Sequence, residues 1–398
     1  MMTGIPSFVK TLMAALDRGG YESFVVGGAV RSALLGVPVH DYDLTTNATP
    51  DQMKEVFRGY RTIETGIRHG TLTVVCEGKP VEITTYRKDS AYGDHRHPDH
   101  VEFTSALQED CARRDFTVNA MCAGMDGSIL DFFGGREDLR NRIIRCIGNP
   151  DARFDEDALR ILRALRFAAR LSFSIDGSTA EALRRNKDLL NFISAERIHD
   201  ELNGFLEAPG CTELLKEYRE VFEVFIPELK ALTAARYDSL CEALERAPGN
   251  SLIRLALLLS YVQQPKQILK RLKYSNTDSR LVLSLIAGKE KPAAGAADIR
   301  RAVRDYQDDV PAWISYRCAL DPSLDEEEIL NIYRKIIADG DCCSLKQLAV
   351  NGDDLVQAGF RGKQIAEALD TLLEEVIEKR LPNSRHELIK YSEVMKKW

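Results

Sequence analysis

Residues 21–26 end in the apolar run Phe24-Val25-Val26, a short buried-strand pattern, and the chain then passes through Gly27-Gly28 into a helical stretch over 29–35. A strand that meets a helix through two glycines gathers backbone N–H groups at one open turn. A phosphate can approach such a turn closely because no Cβ stands in the way. Gly28 and Arg31 are the residues placed to meet it, Arg31 as a forked donor for phosphate oxygens. A Gly-Gly pair alone also fits an ordinary tight turn. What distinguishes this one is Asp41-Tyr42-Asp43, which follows Arg31 after nine residues. On a strand, residues i and i+2 point the same way, so Asp41 and Asp43 would face one spot, with Tyr42 and Leu44 on the other side. Two carboxylates so close repel each other unless a cation lies between them. Mg²⁺ prefers carboxylate and phosphate oxygens, and paired metal ions drive in-line displacement at phosphorus. Turn and carboxylates together predict metal-assisted chemistry on a nucleoside triphosphate.

A third carboxylate fits the same picture. Residues 71–75 and 81–86 read as two strands around Glu77-Gly78-Lys79-Pro80. Glu82, Thr84 and Tyr86 share one face of the second strand, and Val81, Ile83 and Thr85 the other. Glu82 can therefore look across at the aspartate pair, the alternative being a glutamate on a solvated hairpin face.

Further on, Asp157 and Arg160 stand at i and i+3, which places them on one helix face. An aspartate accepts hydrogen bonds and an arginine only donates. Cytosine and adenine each offer an amino donor beside a ring-nitrogen acceptor, whereas uracil and guanine reverse that order. The pair therefore suits C and A and rejects U and G, because the wrong base leaves polar groups unpaired. A plain helical ion pair is the competing reading. Arg163, Arg166 and Arg170 continue the spacing, with Ile161, Leu162, Leu165 and Ala169 left for packing.

Three motifs in this order carry a resemblance. Gly-Gly-x-Val-Arg with Asp41-x-Asp43 resembles the DNA polymerase β-like nucleotidyltransferase superfamily. The run from Arg113-Arg114-Asp115-Phe116-Thr117 to Asn119-Ala120 is similar to the second motif of bacterial class II tRNA nucleotidyltransferases and their poly(A) polymerase relatives. The segment from Arg153 to Phe167 resembles their nucleotide-selecting helix, and Asn351-Gly352-Asp353-Asp354-Leu355 with Gly359-Phe360-Arg361-Gly362-Lys363 their last helical region. One departure is visible: the family turn continues Arg-Asp, and here Ser32 follows Arg31. The resemblance implies an enzyme in which the terminal hydroxyl of a tRNA attacks the α-phosphate of CTP or ATP. Asp41 and Asp43 would hold two Mg²⁺ ions, with Mn²⁺ an alternative, and Glu82 would complete the catalytic carboxylates. Arg114, Arg163 and Arg166 would contact the nucleotide, and Asp115 would lie near the ribose.

The formal net charge of −7 means that an RNA-binding chain must localise its positive charge. From Arg136 to Arg170 there are nine arginines, no lysine and six acids, a bias suited to bidentate phosphate and base contacts. Apolar runs such as 255–259 are far too short to span a bilayer, so no membrane partner is expected. Nine cysteines without a Cys-x-x-Cys spacing, and no recognisable secretion signal, read as reduced thiols in the cytoplasm. His95, His97 and His100 lack a nearby cysteine for a zinc site and fall in what resembles the family's mobile loop, about 87–100. His199-Asp200 lacks the later histidines of an HD phosphohydrolase site, only His386 following.

The expected fold class is α+β: a polymerase β-like head with a small mixed sheet over 1–145, then an all-α remainder comprising a neck over 146–206, a body over 207–290 and a tRNA-binding tail over 291–398. Helical periodicity marks 251–262, 325–338 and 363–379, and the composition of 289–297 reads as a linker. The resemblance implies template-independent addition of C, C and A to the tRNA 3′ end with release of pyrophosphate; alternatives to full CCA addition are a CC-adding or A-adding enzyme, a poly(A) polymerase, or an RNA-binding protein without activity. The loop over 87–100 favours a switch from C to A. The ending Glu-Val-Met-Lys-Lys-Trp lacks the basic extension of many poly(A) polymerases, and intact Asp41, Asp43, Asp157 and Arg160 disfavour an inactive protein. Monomer and dimer are equally compatible with the sequence.

Overall fold

The computed structural model describes residues 2, 4–89 and 101–395. His95, His97 and His100 lie outside them. The chain packs as two compact units, Met1–Lys230 and Ala231–Trp398.

The first unit is built on a seven-stranded mixed sheet. Its strands are β1 (Ser23–Val26), β2 (Asp43–Thr46), β3 (Arg61–Ile63), β4 (Thr71–Cys76), β5 (Lys79–Thr85), β8 (Cys122–Ala123) and β9 (Ile129–Leu130), in the order β3-β4-β5-β2-β1-β8-β9. Only β2 and β5 pair in parallel; the other neighbours are antiparallel. Burial alternates along β4 and β5, so Leu72, Val74, Val81 and Ile83 go into the core while Glu82 and Thr84 look outward. Helix α1 (Ser7–Arg18) supplies the facing apolar stripe through Phe8, Val9, Leu12, Met13 and Leu16. Helix α2 (Gly28–Leu34) leaves β1 through Gly27, whose φ of 67° is a conformation glycine adopts freely. A capping box between Thr49 and Gln52 starts α3 (Pro50–Val56). The stretch read as a loop begins and ends as a ribbon: β6 (Arg87–Asp89) pairs with β7 (Val101–Phe103), and Lys88 meets Glu102 at 3.0 Å.

Beyond the sheet the unit is helical. It continues with α4 (Leu107–Ala112), α5 (Gly135–Asn141), α6 (Pro150–Glu156), α7 (Leu159–Leu171), α8 (Gly177–Asn186) and α9 (Ala195–Leu206). A short parallel pair, β10 (Ile143–Ile144) with β11 (Ser174–Ile175), lies between them. Helix α6 opens on Pro150 with Asn149 accepting from the Asp151 and Ala152 N–H groups, a preferred start. Ile161, Leu162, Leu165 and Ala169 of α7 are buried, as their spacing predicts.

The second unit is all-helical, with helices including Ser251–Leu259, Glu326–Ala338 and Lys363–Ile377 where periodicity predicts them. Residues 289–297, read from composition as a linker, lie inside this unit and join Asn276–Ala287 to Ala296–Tyr306. The connection is pinned by Lys291 to Asp305 at 2.7 Å and by buried Ala293. Among the described residues no helix is long and apolar enough to cross a membrane, and the nine cysteines are buried thiols outside any disulfide.

Candidate active site

The strand β1 ends at Val26, paired with Asp43. This sets the floor of the site, because the ladder cannot extend past the Gly27 turn. Asp41 and Tyr42 therefore precede β2 rather than lying on it, which corrects the strand reading of 41–43. Tyr42 turns away to meet Phe8 edge-on, with ring centroids 6.0 Å apart, and Leu44 is buried. Asp41 and Asp43 still face common ground, for both line one cavity beside the Gly27-Gly28 turn. Glu82 is the parallel-ladder partner of Asp43 and stands next to it on an open face. Withdrawal from water raises the pKa of the Asp43 carboxyl, Glu82 and then Asp41 add to the rise, and Arg114 opposes it.

A cleft of about 360 Å³ opens over this floor, lined by Gly27, Gly28, Arg31, Asp43, Arg114, Asp157, Arg160 and Arg163 among others. Arg31, Arg163 and Arg166 have their guanidinium carbons 5.0, 5.3 and 4.5 Å from the ring centroid of Phe167. Arg31 donates through Nη1 to Asn119 Oδ1, and Asn119 in turn donates to Asp115 at 3.0 Å. Burial lowers the pKa of Arg31 to about 10 against the pull of Asp115, with Arg170, Arg166 and Arg163 adding repulsion. Its Nε is buried without a hydrogen-bond partner, and so is that of Arg114. Fully buried Asp110 holds Arg114 at 3.2 Å and Arg113 at 2.8 Å, and takes a further bond from Thr45 at 3.1 Å.

The selecting segment is a helix, a break and a helix. Asp157 leaves the helical region at φ −145°, ψ 99°. Its carboxylate accepts from Leu159 N at 3.1 Å and from Arg197 Nη2 at 2.9 Å. The shared helix face predicted for Asp157 and Arg160 is thus not how they meet, though both line the cleft. The Arg160 guanidinium is fixed by Glu156 at 2.6 Å and by the carbonyls of Arg153 at 3.1 Å and Arg113 at 2.9 Å. Arg163 forks onto Asp115 at 3.0 and 2.7 Å. Burial pushes the Asp115 carboxyl up, but that contact together with the bonds from Asn119 and the Phe116 N–H outweighs it and lowers the pKa. Arg166 lines neither cavity and bonds Glu201 on α9 at 2.5 Å. A Cβ at Gly204 would come within 2.7 Å of the Arg166 side chain, so this glycine makes room for it.

Asp110, Asn119, Phe167 and Glu201 organise the site without having been singled out for it. Asp110 stands three and four residues before Arg113 and Arg114, a helical spacing that signals the pairing. Asn119 and Glu201 act over long sequence separations that leave no local pattern.

Comparison with known proteins agrees with this arrangement. Residues 23–145 match the family described as the poly A polymerase head domain. Residues 172–233 match the family described as the probable RNA and SrmB-binding site of polymerase A, and 250–391 match tRNA nucleotidyltransferase domain 2. A CCA-adding enzyme of Lacticaseibacillus paracasei is 35% identical over 95% of this chain and 94% of its own length. Another, of Ligilactobacillus salivarius, is 35% identical over 98% and 97%. The Bacillus stearothermophilus CCA-adding enzyme, solved in complex with CTP, superposes with a TM-score of 0.83 at 29% identity, covering 98% of this chain and 97% of that one. A Thermotoga maritima CCA-adding enzyme complexed with tRNA shares the fold, with a TM-score of 0.71 at 20% identity over 97% and 94%. The chain belongs to the CCA-adding enzyme family, tRNA nucleotidyltransferases that add C, C and A to the tRNA 3′ end from CTP and ATP. The family works with divalent metal ions.

Proposed function

We propose that the chemistry of this CCA-adding enzyme is centred on Asp41 and Asp43, with the triphosphate held at the Gly27-Gly28 turn. The observation that carries the reading is one cleft lined at once by that turn, Asp43, Arg31, Arg114, Asp157 and Arg160. Buried, unsatisfied Nε–H groups on Arg31 and Arg114 suit the triphosphate, since an anion would relieve both. Asp41 and Asp43 would hold two Mg²⁺ ions. Burial raises Asp43, and the added repulsion from Glu82 and Asp41 fits a cation between the carboxylates. Among the described residues no three acidic, histidine or cysteine side chains are placed to hold an ion unaided. Phosphate and water oxygens would complete the coordination, as Mg²⁺ prefers. When bound, the ions supply a lowered pKa for the attacking 3′ hydroxyl and charge neutralisation for the departing pyrophosphate.

The chain's own residues do the rest. Glu82 adds negative charge beside Asp43. Asp157 would accept from the amino group of C or A while Arg160, held rigid by Glu156 and two carbonyls, donates to the ring nitrogen. Arg163 would meet the nucleotide from the cleft wall, and Arg166 acts from behind it through Glu201. Residues 1–145 would form the catalytic head, 146–206 the base-selecting neck, 207–290 a body and 291–398 a tRNA-binding tail, in a cytoplasmic enzyme. The test offers tRNA lacking its 3′ CCA with labelled CTP and ATP, separately and together. Growth by C, C and then A is expected. Growth that stops after C-C, single A addition, long A tails or no product would each displace this reading.

A further inference from the structure

Two of the nine cysteines have their sulfur atoms in contact. Cys111 on α4 and Cys122 on β8 stand 3.3 Å apart, Sγ to Sγ, and both side chains are fully buried. They lie in an apolar cluster with Val26, Tyr86, Leu107 and Ile147. Burial ordinarily leaves a cysteine inert. This pair differs because each thiol has a second sulfur within reach and arginines nearby. Contact with Cys122 lowers the pKa of the Cys111 thiol, helped by Arg114 and Arg113 and opposed by burial and Asp110. The same contact, together with burial, raises that of Cys122. The two sulfurs also bracket the second motif. Arg113, Arg114, Asp115 and Asn119 all fall between them in the sequence, and all line the nucleotide cleft. Asp110, which holds Arg113 and Arg114, is the residue before Cys111. On the other side, Cys122 pairs with Val26, and Val26 with Asp43.

We propose that Cys111 and Cys122 form a reversible modification site, closed to an intramolecular disulfide by hydrogen peroxide and reopened by a dithiol, and that the closed form holds nucleotide less well. The bond itself stands apart from the nucleotidyl-transfer reading above; its effect on nucleotide rests on that reading. Cys111 is the nucleophile. Its thiolate attacks one peroxide oxygen, the O–O bond breaks, and the other oxygen leaves as hydroxide, which takes up the proton the thiol released. The Cys122 thiol then attacks the sulfenic sulfur of Cys111. The S–S bond forms, the S–O bond breaks, and water leaves with the Cys122 proton. In all, two thiols give two electrons to peroxide and two waters form. A dithiol reverses the change by exchange and is itself oxidised to a disulfide. Sulfurs now 3.3 Å apart must close by roughly 1.3 Å to bond. Strand β8 is hydrogen-bonded between β1 and β9, whereas α4 is a helix of only six residues, so α4 is the part that yields. Its movement carries Asp110, and with it Arg113 and Arg114.

The test treats the full, reduced chain with hydrogen peroxide and digests it without reductant. The expected result is a cross-linked peptide pair joining Cys111 to Cys122, with two of the nine thiols lost. KM for CTP, measured on tRNA lacking CCA, should rise roughly tenfold, about the worth of one charge-assisted contact, and dithiothreitol should restore it. Cys122→Ala keeps a small apolar side chain at the buried site. It should start from the wild-type KM and hold it through the peroxide treatment. Oxidised wild type without the Cys111–Cys122 peptide would overturn the site, and that map decides the matter even where the variant fails to fold. A disulfide that leaves KM for CTP unchanged would overturn the coupling through Asp110. Peroxide that weakens CTP binding in Cys122→Ala as much as in wild type would overturn the proposal too, by placing the sensitive thiol elsewhere. Reduced wild-type protein that adds no nucleotide would sink the nucleotidyl-transfer reading instead, with the peptide map still deciding the bond.

Discussion

Both units of the molecule contain a web of arginines and carboxylates, yet the two webs have different chemistry. In the second unit Arg300 is buried, meets Asp341 at 2.7 Å and donates to the carbonyl of Ile377 at 2.9 Å, at the end of the helix Lys363–Ile377. Arg301 and Arg304 share Glu374 at 2.9 and 2.6 Å. None of these three guanidinium groups has a buried nitrogen without a partner. In the first unit, Arg31 and Arg114 each keep such a nitrogen at the wall of a cleft, and three acids crowd together around Asp43. A completed web ties helices together. An incomplete one, with donors unmet on one side and like charges on the other, is arranged around something that is not protein. Ion pairing by itself therefore says little about function, and an unsatisfied nitrogen says more only where, as around Asp43, it faces crowded carboxylates at a cleft, since Arg317 of the second unit also keeps a buried Nε without a partner.

This contrast sets the scale of the expected effects. Asp43→Ala or Asp41→Ala should cut nucleotide addition on the order of 10⁴-fold, the several kcal/mol that metal-assisted charge stabilisation supplies. tRNA binding should persist. Chelation of divalent ions should reproduce the loss in wild type, and turnover surviving in either variant would refute the assignment. Next in size is Arg300→Met, which removes the 2.7 Å partner of Asp341 and leaves it only Lys379 at 3.6 Å. It should cost about 3–5 kcal/mol of stability in a denaturant titration while leaving kcat of the folded protein unchanged. A loss of kcat without loss of stability would erase the distinction between the webs. Arg160→Ala should be smaller, removing about 1–3 kcal/mol of discrimination against U and G in competition assays. Unchanged selectivity would mean that the base edge is read elsewhere.

What could be read from the sequence was local. The apolar end of β1, the glycine turn and α2 lie within twelve residues, and the burial alternation of β4 and β5 follows their side chains directly. Asp157 misled because its carboxylate competes for backbone N–H groups. It bonds Leu159 N and interrupts the helix that the i, i+3 spacing assumed. Asp41 fell off its strand because the partner strand ends at Val26, a limit set by pairing and not by composition. The carboxylates that fix the arginines divide the same way. Asp110 serves neighbours three and four residues on, whereas Asp115 reaches Arg163 forty-eight residues away and Glu201 reaches Arg166 thirty-five residues away. Sequence spacing can announce the first kind of contact but carries no trace of the second, because only tertiary packing brings α7 and α9 together.

The smallest effect is expected at Ser32, where the family's usual residue is aspartate. Ser32 lines the cavity of about 710 Å³ that holds Asp41 and Asp43 beside the Gly27-Gly28 turn, alongside Arg31, Arg142 and Arg170. Its hydroxyl makes no hydrogen bond among the described residues, so the serine is not holding the local fold. Ser32→Asp would introduce a carboxylate into a water-open cavity in which Arg31, Arg142 and Arg170 stand with Asp41 and Asp43. Exposed pairs of this kind are worth about 0–1 kcal/mol, and salt screens them further. The variant should therefore keep kcat, change KM for tRNA by no more than about fivefold, and lose that change as ionic strength rises. A loss of kcat beyond tenfold that salt does not relieve would show that position 32 acts on the catalytic carboxylates. The boundary between the nucleotide cleft and the neighbouring cavity would then have to be moved.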